Sequence, residues 1–395
     1  MEQLIALSNK KLASTDTGFK RYLYEKINWN NQLIVIKGAK GVGKTTLLLQ
    51  HIKESFRDYS KTLYVSMDHI WFSNHSLLEL AERFCAYGGT HLFLDEVHKY
   101  ENWETEVKNI FDFYPELHVV ITGSSLLRLE GSLKGDLSRR ARQYDMAGMS
   151  FREFLEFEKN ISFPIQTLDE IVTRHSYMAA ELATSTKVLP LFNEYLQHGY
   201  YPFYKNSEDG FLERLQSVVD SVIEVDVPAV SNIEYATVRK MKRLVSLLSA
   251  SSPYTPNITT LCKQLETSRN NALKMLDLVD KADIIRQLYT SAGFGSMTRP
   301  SKVLFNNSNL AYAFSGTNIG TVRESFFASQ LAVDHELIMP DAGDIMVDSR
   351  YLFEIGGRKK GFTQIKDIPG SYIAADDIEI GGGNKIPLWV FGLLY

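Results

Sequence analysis

The hydrophobic pattern of the first 150 residues switches repeatedly between two periods. Leu33-Ile34-Val35-Ile36 is a continuous apolar run of strand length, and similar runs return at Thr62–Val65, His91–Leu94 and His118–Ile121. Between them, Lys44–Phe56, Leu77–Cys85 and Trp103–Phe113 carry apolar residues at helical spacing. Unbroken apolar strands belong to sheets covered on both faces, and their alternation with helices predicts a mostly parallel sheet. A short strand near Gln143–Met146 closes this unit. Residues 1–30, with Phe19, Tyr22 and Ile27 on a broken helical period, read as a helical lead-in.

Beyond residue 150 the pattern changes. Residues 151–235 read as mainly helical, and Ser150-Phe151-Arg152-Glu153 has the form of a capping box. Residues 236–310 read as helix, a loop with Pro253 and Pro256, helix, turn and helix. Two strand-like runs follow, around Ile284–Tyr289 and Lys302–Phe305. Residues 311–395 mix a helix at Thr321–Val333 with later strands, and the apolar stretch Ile386–Tyr395 reads as a buried terminal strand. The expected fold class is α/β. It comprises a parallel-sheet core over 1–150, a helical segment over 151–235, a winged helix over 236–310 and a small α/β domain over 311–395.

Composition narrows the function classes. With 44% apolar and 23% charged residues the chain has ordinary globular usage. Lys and Arg number 43 against 47 Asp and Glu, a net charge of −4, so any nucleic-acid contact must rest on a local patch. Two distant cysteines, Cys85 and Cys262, make neither a disulfide framework nor a four-ligand zinc site and read as small core residues. No stretch reaches the roughly 18 apolar residues that cross a bilayer. The start lacks a basic flank followed by a long apolar run. A cytoplasmic chain with no membrane partner is expected.

The chemistry begins at Gly38-Ala39-Lys40-Gly41-Val42-Gly43-Lys44-Thr45, which fits G-x-x-x-x-G-K-[ST] between a strand and a helical pattern. Glycines there let backbone N–H groups surround phosphate oxygens, and the next helix offers its positive end to the same anion. Lys44 is expected on the β- and γ-phosphates of ATP, and the Thr45 hydroxyl on Mg²⁺, with Thr46 completing the loop. His91-Leu92-Phe93-Leu94-Asp95-Glu96 ends an apolar strand in two carboxylates. Asp95 is expected to hold Mg²⁺ and Glu96 to take a proton from the attacking water. Thr122, at the end of the next strand, either orients that water or senses the γ-phosphate, or else caps the turn Gly123-Ser124-Ser125. Arg139, Arg140 and Arg142 form either a solvated basic face or the source of an arginine finger. A finger acting in trans requires a homo-oligomer.

These blocks resemble a bacterial and archaeal family. They are Gly38–Thr46, Leu94-Asp95-Glu96-Val97-His98-Lys99, Trp103, Thr122-Gly123-Ser124-Ser125, Leu137-Ser138-Arg139-Arg140, Ser150-Phe151-Arg152-Glu153-Phe154 and the end, Asn384–Trp389. The family's members are AAA-type ATPases with a winged helix and a C-terminal domain similar to PD-(D/E)XK nucleases. The resemblance implies a strand inserted between the loop strand and the Asp-Glu strand. It places Lys44, Thr45, Asp95 and Glu96 on catalytic positions, Thr122 on a sensor position, Arg140 on the arginine of its block and Asp68 on a recurring acidic position. Lys40 stands where many members carry arginine, which keeps the charge but loses bidentate geometry.

Two further features bear on partners. Residues 239–290 hold nine basic against four acidic residues, a surplus of five in a chain that is negative overall. Ile258–Leu265 and Arg269–Ala282 fit a helix-turn-helix. Ala272, Leu276 and Val279 share one face of the second helix, with Asn270, Asn271, Lys274 and Lys281 opposite. Asparagine reads adenine edges and lysine neutralises phosphate, so this face suits duplex DNA, although Asp277 lies on the same side. A lid or protein-contact role stands beside that reading. In the C-terminal region Asp344 and Glu354 match a degenerate nuclease pattern, but Gly356 occupies the lysine position and Lys359 and Lys360 are out of register. The leading expectation is an ATPase acting on DNA or a protein partner. The alternatives are a nucleotide-gated regulator with little turnover, a small-molecule kinase and a metal-dependent nuclease.

Overall fold

The computed structural model describes residues 1–128, 137, 139–207, 209–231, 233–250, 255, 257–290, 300–315 and 318–395. The chain divides into two compact units: Met1–Gly148 with Ser221–Glu234, and Met149–Asp220 with Tyr235–Tyr395.

In the first unit α1 (Glu2–Ala13) and α2 (Leu23–Lys26) precede an α/β core. Its strands are β1 (Leu33–Gly38), β2 (Thr62–Ser66), β3 (His91–Asp95), β4 (His118–Ser124) and β5 (Arg142–Asp145). Three helices alternate with them, α3 (Lys44–Ser55), α4 (Leu77–Ala86) and α5 (Trp103–Phe113). All five strands are parallel, in the order β2-β3-β4-β1-β5. β4 therefore lies between the loop strand and the Asp-Glu strand, as the resemblance implied. The continuous apolar runs exist because both sheet faces are covered: Ile34, Val35 and Ile36 are fully buried. Val35, Leu63, Leu80, Phe84, Leu92, Val107 and Ile121 share one core, where each fully buried large side chain contributes about 1.5–3 kcal/mol. Cys85 lies half-buried against that core, and Cys262 is half-buried as well.

A parallel sheet places every strand's C-terminal end on one edge, where ligands bind in open α/β folds. Here that edge carries Gly38, Asp95 and Thr122.

The segment Ser221–Glu234 groups with this first unit, whereas the sequence pattern placed it in a helical segment over 151–235. Its buried residues Val222, Ile223, Asp226 and Val227 explain the difference. Its short helix packs against the turns Val97–Lys99 and Ser125–Arg128, beside the Asp-Glu strand.

The second unit opens with α6 (Phe151–Lys159), and the capping box forms as read, with Ser150 and Glu153 bonded reciprocally. A second box, Thr167 with Glu170, starts α7 (Leu168–Ser185), which is followed by α8 (Val188–Glu194). Beyond a further helix at Phe211–Ser221 come α9 (Tyr235–Ala250), α10 (Ile258–Leu265) and α11 (Arg269–Lys281), then an antiparallel pair, β6 (Ile285–Leu288) and β7 (Lys302–Phe305). Pro253 and Pro256 lie outside the described residues. After α12 (Ser308–Ser315) and α13 (Ile319–Leu331) the chain forms a mixed sheet. Its strands are β8 (Leu337–Ile338), β9 (Ile345–Val347), β10 (Tyr351–Gly356), β11 (Ser371–Ala375) and β12 (Lys385–Pro387), in the order β12-β11-β10-β9-β8. The expected terminal strand over Ile386–Tyr395 is shorter than read. Pairing stops at Pro387, and Leu388–Leu393 coils into a buried 3₁₀ turn. Its burial, not its pairing, accounts for the apolar run.

Candidate nucleotide site

The loop after β1 is built for close approach. Gly41 and Gly43 adopt φ of 91° and 101°, where a side chain would be strained. Gly43 caps α3 without a side-chain hydrogen bond, so the helix entrance is left to its backbone N–H groups. Lys44 is buried, and its Nζ donates to the carbonyls of Gly38 (2.8 Å) and Ala39 (2.9 Å). Behind the loop, the buried Arg21 donates to the Val42 carbonyl and to that of Ala147 (2.8 Å). Nothing in the sequence marked Arg21, because a single arginine in a helical lead-in has no signature. Thr46 is exposed on the first turn of α3, and Lys40 is half-exposed at the loop.

Asp95 sits at the end of β3, 3% exposed, and collects three hydroxyls. Thr45 Oγ1 donates to its Oδ2 at 2.7 Å, Tyr64 OH donates to the same oxygen at 2.7 Å, and Thr122 Oγ1 donates to Oδ1. Thr45 and Asp95 come from segments 50 residues apart, and the sheet order brings them together. Tyr64 was not foreseen; it is an ordinary apolar-strand residue until β2 pairs beside β3 in register, Tyr64 opposite Phe93. Burial and the Asp95 charge push its phenol far up, so it remains a donor. A cavity of about 390 Å³ between α1 and β2 has Tyr64 in its wall, with Leu4, Leu7 and Val65.

Glu96 follows in a left-handed conformation, φ 57°, which turns its side chain off the strand line. Its backbone N–H donates to Thr122 Oγ1 at 3.2 Å, so Thr122 touches both members of the acidic pair. The Glu96 carboxylate lies 3.7 Å from Lys99 Nζ and 3.5 Å from His98 Nε2. Lys99 also donates to Asp68 at 3.1 Å. The bond from Ser66 and the one from Lys99 outweigh burial and hold the Asp68 carboxyl below its usual range.

Other residues singled out from the sequence lie elsewhere. Arg140 donates through Nε to Asp112 at 3.0 Å and lies over the Phe111 ring. Arg139 and Arg142 are exposed, and Ser138 lies outside the described residues. On α11 the face of Ala272, Leu276 and Val279 is buried as read, joined by Met275 and Leu278. Asn270, Asn271 and Lys274 are exposed, whereas Lys281 is bonded to Asp277 at 2.9 Å. That pair removes much of the charge Lys281 would bring to a phosphate.

The acids of the C-terminal sheet are already answered. Lys360 Nζ bonds the fully buried Glu354. Lys302 Nζ lies 2.6 Å from Glu324 and 3.7 Å from Asp344. Gly356 has no side chain to offer at the position an active nuclease fills with lysine; Lys360 reaches the carboxylate from the following turn.

Thr45 Oγ1 and the Asp95 carboxylate form a hard oxygen pair of the kind Mg²⁺ takes. Among the described residues no group of three His, Cys, Asp or Glu could hold a metal alone. Together Thr45 and Asp95 could supply two oxygens to a cation whose other ligands would be water or phosphate oxygens.

Residues 30–155 match the family model for an AAA domain. The match spans the whole constellation, from β1 through the loop, Asp95, Glu96, Thr122 and Arg140 to Ser150. With the strand order above, it makes this an AAA-type P-loop nucleotide-binding core of α/β class. Residues 189–319 match a domain of unknown function, DUF8612. An uncharacterized protein of Methanocaldococcus jannaschii is 28% identical over 287 residues, covering 69% of this chain and 59% of the relative. An uncharacterized protein of Haemophilus influenzae is 22% identical over 285 residues, covering 67% of this chain and 64% of the relative. The chain thus spans about three fifths of the length of these relatives. AMPPCP-bound DnaA from Aquifex aeolicus overlays 70% of this chain and 88% of that one at 16% identity, with a TM-score of 0.27. At that score the strand order, not the overlay, defines the fold. Among the described residues no helix is long and apolar enough to cross a membrane.

Proposed function

We propose that this chain is a Mg²⁺-dependent, ATP-hydrolysing AAA-type ATPase that couples nucleotide state to a conformational change acting on duplex DNA or a protein partner. One observation carries the reading: the Thr45 hydroxyl and Asp95 carboxylate meet at 2.7 Å at the mouth of the loop, with Glu96 as the next residue. Lys44 would leave the Gly38 and Ala39 carbonyls for the β- and γ-phosphates, and Thr45 and Asp95 would hold Mg²⁺. The metal, when bound, neutralises charge that builds on the transferred phosphoryl. Glu96 takes the proton of the attacking water as the β–γ bridging bond breaks, releasing phosphate and ADP. Thr122, bonded to both acids, fixes their relative placement. Arg140 serves as a finger after leaving Asp112; in trans, it makes the active form a homo-oligomer. In this reading residues 236–310 are the winged helix, and Asn270, Asn271 and Lys274 are its base- and phosphate-facing residues, with Lys281 secondary because of Asp277.

A second reading has a specific observation behind it. The Glu96 carboxylate lies beside Lys99 and His98 and makes no hydrogen bond to Asp95 or the loop among the described residues. A nucleotide-gated regulator with little turnover would keep it there. Phosphate release with Mg²⁺–ATP, with and without duplex DNA, decides between them. Turnover lost by about a hundredfold or more in Glu96→Gln supports the hydrolase. Binding without turnover supports the regulator.

A further inference from the structure

The returning segment brings one charged side chain into the site that neither half of the motif supplies. Asp226, 2% exposed, ends a π turn over Val222–Asp226. Its Oδ2 lies 3.9 Å from Nζ of Lys40, in the phosphate loop, and Lys40 also donates to Ser221 Oγ at 2.9 Å. Its Oδ1 makes no hydrogen bond among the described residues and faces His98 Nε2 at 3.8 Å. The buried His98 is itself oriented from behind: the Ser124 N–H donates to its Nδ1 at 3.3 Å, so the ring proton belongs on Nε2. Nε2 then points between two carboxylates, Asp226 at 3.8 Å and Glu96 at 3.5 Å, with no hydrogen bond completed to either. A buried donor and a buried acceptor left just beyond bonding distance are costly unless another state of the site closes the gap.

Burial raises the Asp226 carboxyl, but His98 and the charges of Lys40 and Lys99 outweigh it and keep the group below its usual range. Asp226 therefore stands as an anion, with Lys40 as its counter-charge and the His98 Nε2–H facing it just beyond bonding distance. A small shift of the ring towards Asp226 would complete that contact and release Glu96; a shift the other way would hold Glu96 in place.

We propose that Asp226 is a positioning residue for ATP hydrolysis: it sets the His98 ring, and the ring sets whether the Glu96 carboxylate is parked or presented to the attacking water. Because Asp226 also faces Lys40, phosphate arriving at the loop reaches the same carboxylate that orients the base. This rests on the hydrolase reading above.

The test is steady-state phosphate release with Mg²⁺–ATP by the full chain carrying Asp226→Asn, Asp226→Ala, His98→Ala and the double change. Melting shifts with a non-hydrolysable ATP analogue are read alongside. Asp226→Ala is expected to lower kcat by about ten- to a hundredfold, the cost of a displaced catalytic group, with KM and the analogue's shift little changed. Asp226→Asn keeps the size and an acceptor for His98 and is expected to recover part of that loss. The double variant should lose no more than the worse single one, because the two residues act in series. Additive losses, or full kcat in Asp226→Asn and Asp226→Ala, overturn the role. If Asp226→Ala does not fold, Asp226→Asn with the His98 pair carries the same comparison. Phosphate release that survives Lys44→Ala would instead remove the hydrolase reading beneath it.

Discussion

Both units gather acidic side chains beside strands, and the partners differ in kind. Asp95 receives three neutral hydroxyls, from Thr45, Tyr64 and Thr122. Glu354 receives the ammonium of Lys360, and Lys302 stands between Glu324 and Asp344. Hydroxyls satisfy lone pairs but leave the negative charge uncompensated. Lysines cancel the charge and occupy the space a cation would use. The first arrangement keeps a net negative charge at the mouth of the loop; the second is neutralised by its own side chains. Carboxylate count alone misleads, and the chemistry of the donors around each carboxylate separates a charge left open from an internal salt network.

The largest expected effect comes from the phosphate loop beside the first cluster. Lys44→Ala should abolish turnover and remove the melting-temperature rise given by Mg²⁺–ATP. At a hundredfold excess over Kd that rise corresponds to about 2.7 kcal/mol. A full rise in the variant, measured by thermal denaturation, would show that phosphate binds elsewhere.

The second cluster should respond in stability and not in ligand binding. Lys360→Ala leaves Glu354, 1% exposed, without its cation, and should destabilise the chain by about 3 kcal/mol in urea unfolding. Mg²⁺–ATP should still raise its melting temperature as in the parent. Burial raises the nearby Glu324 carboxyl and Lys302 opposes that rise, so the network balances around its lysines. A cost near zero would mean that Glu354 finds a metal or water in place of the lysine.

These contrasts also mark what could be read from the chain. The loop and the Asp-Glu strand were legible because eight or fewer consecutive residues make each pattern and the apolar runs around them are continuous. Asp226, Tyr64 and Arg21 were not, since each lies on a different segment and acquires its role only when the sheet order or the returning turn brings it to Asp95, His98 or Val42. His98 stood inside a quoted block, yet its task depends on Ser124, 26 residues on, and on Asp226. At the C-terminal sheet the sequence singled out Asp344, Glu354 and the nearby Lys359 and Lys360. What it could not give was the turn through Gly357 that brings Lys360 back to Glu354. The terminal apolar run illustrates the same limit: hydrophobicity announced burial, while Pro387 and the coil after it decided against a long strand.

A third carboxylate sharpens the comparison with the smallest effect. Asp280, near the end of α11, has neither a hydroxyl cage nor a bonded lysine among the described residues; its Oδ1 accepts from the Gln287 N–H at 3.1 Å. Burial pushes it up to about 6, only partly opposed by Arg286. The folded chain thus binds this proton more tightly than the unfolded one. Ionised Asp280 costs stability above pH 6, and the cost fades as pH falls from about 6 towards the unfolded value near 4. Asp280→Asn keeps the acceptor for Gln287 and removes the charge. It should therefore stabilise the chain by about 2 kcal/mol at pH 8, and by little at pH 4.5, in paired urea titrations of the two proteins. A gain equal at both pH values would trace the effect to packing. A loss at pH 8 would mean that the anion is stabilised in place by its neighbours, Arg286 and the Gln287 N–H among them.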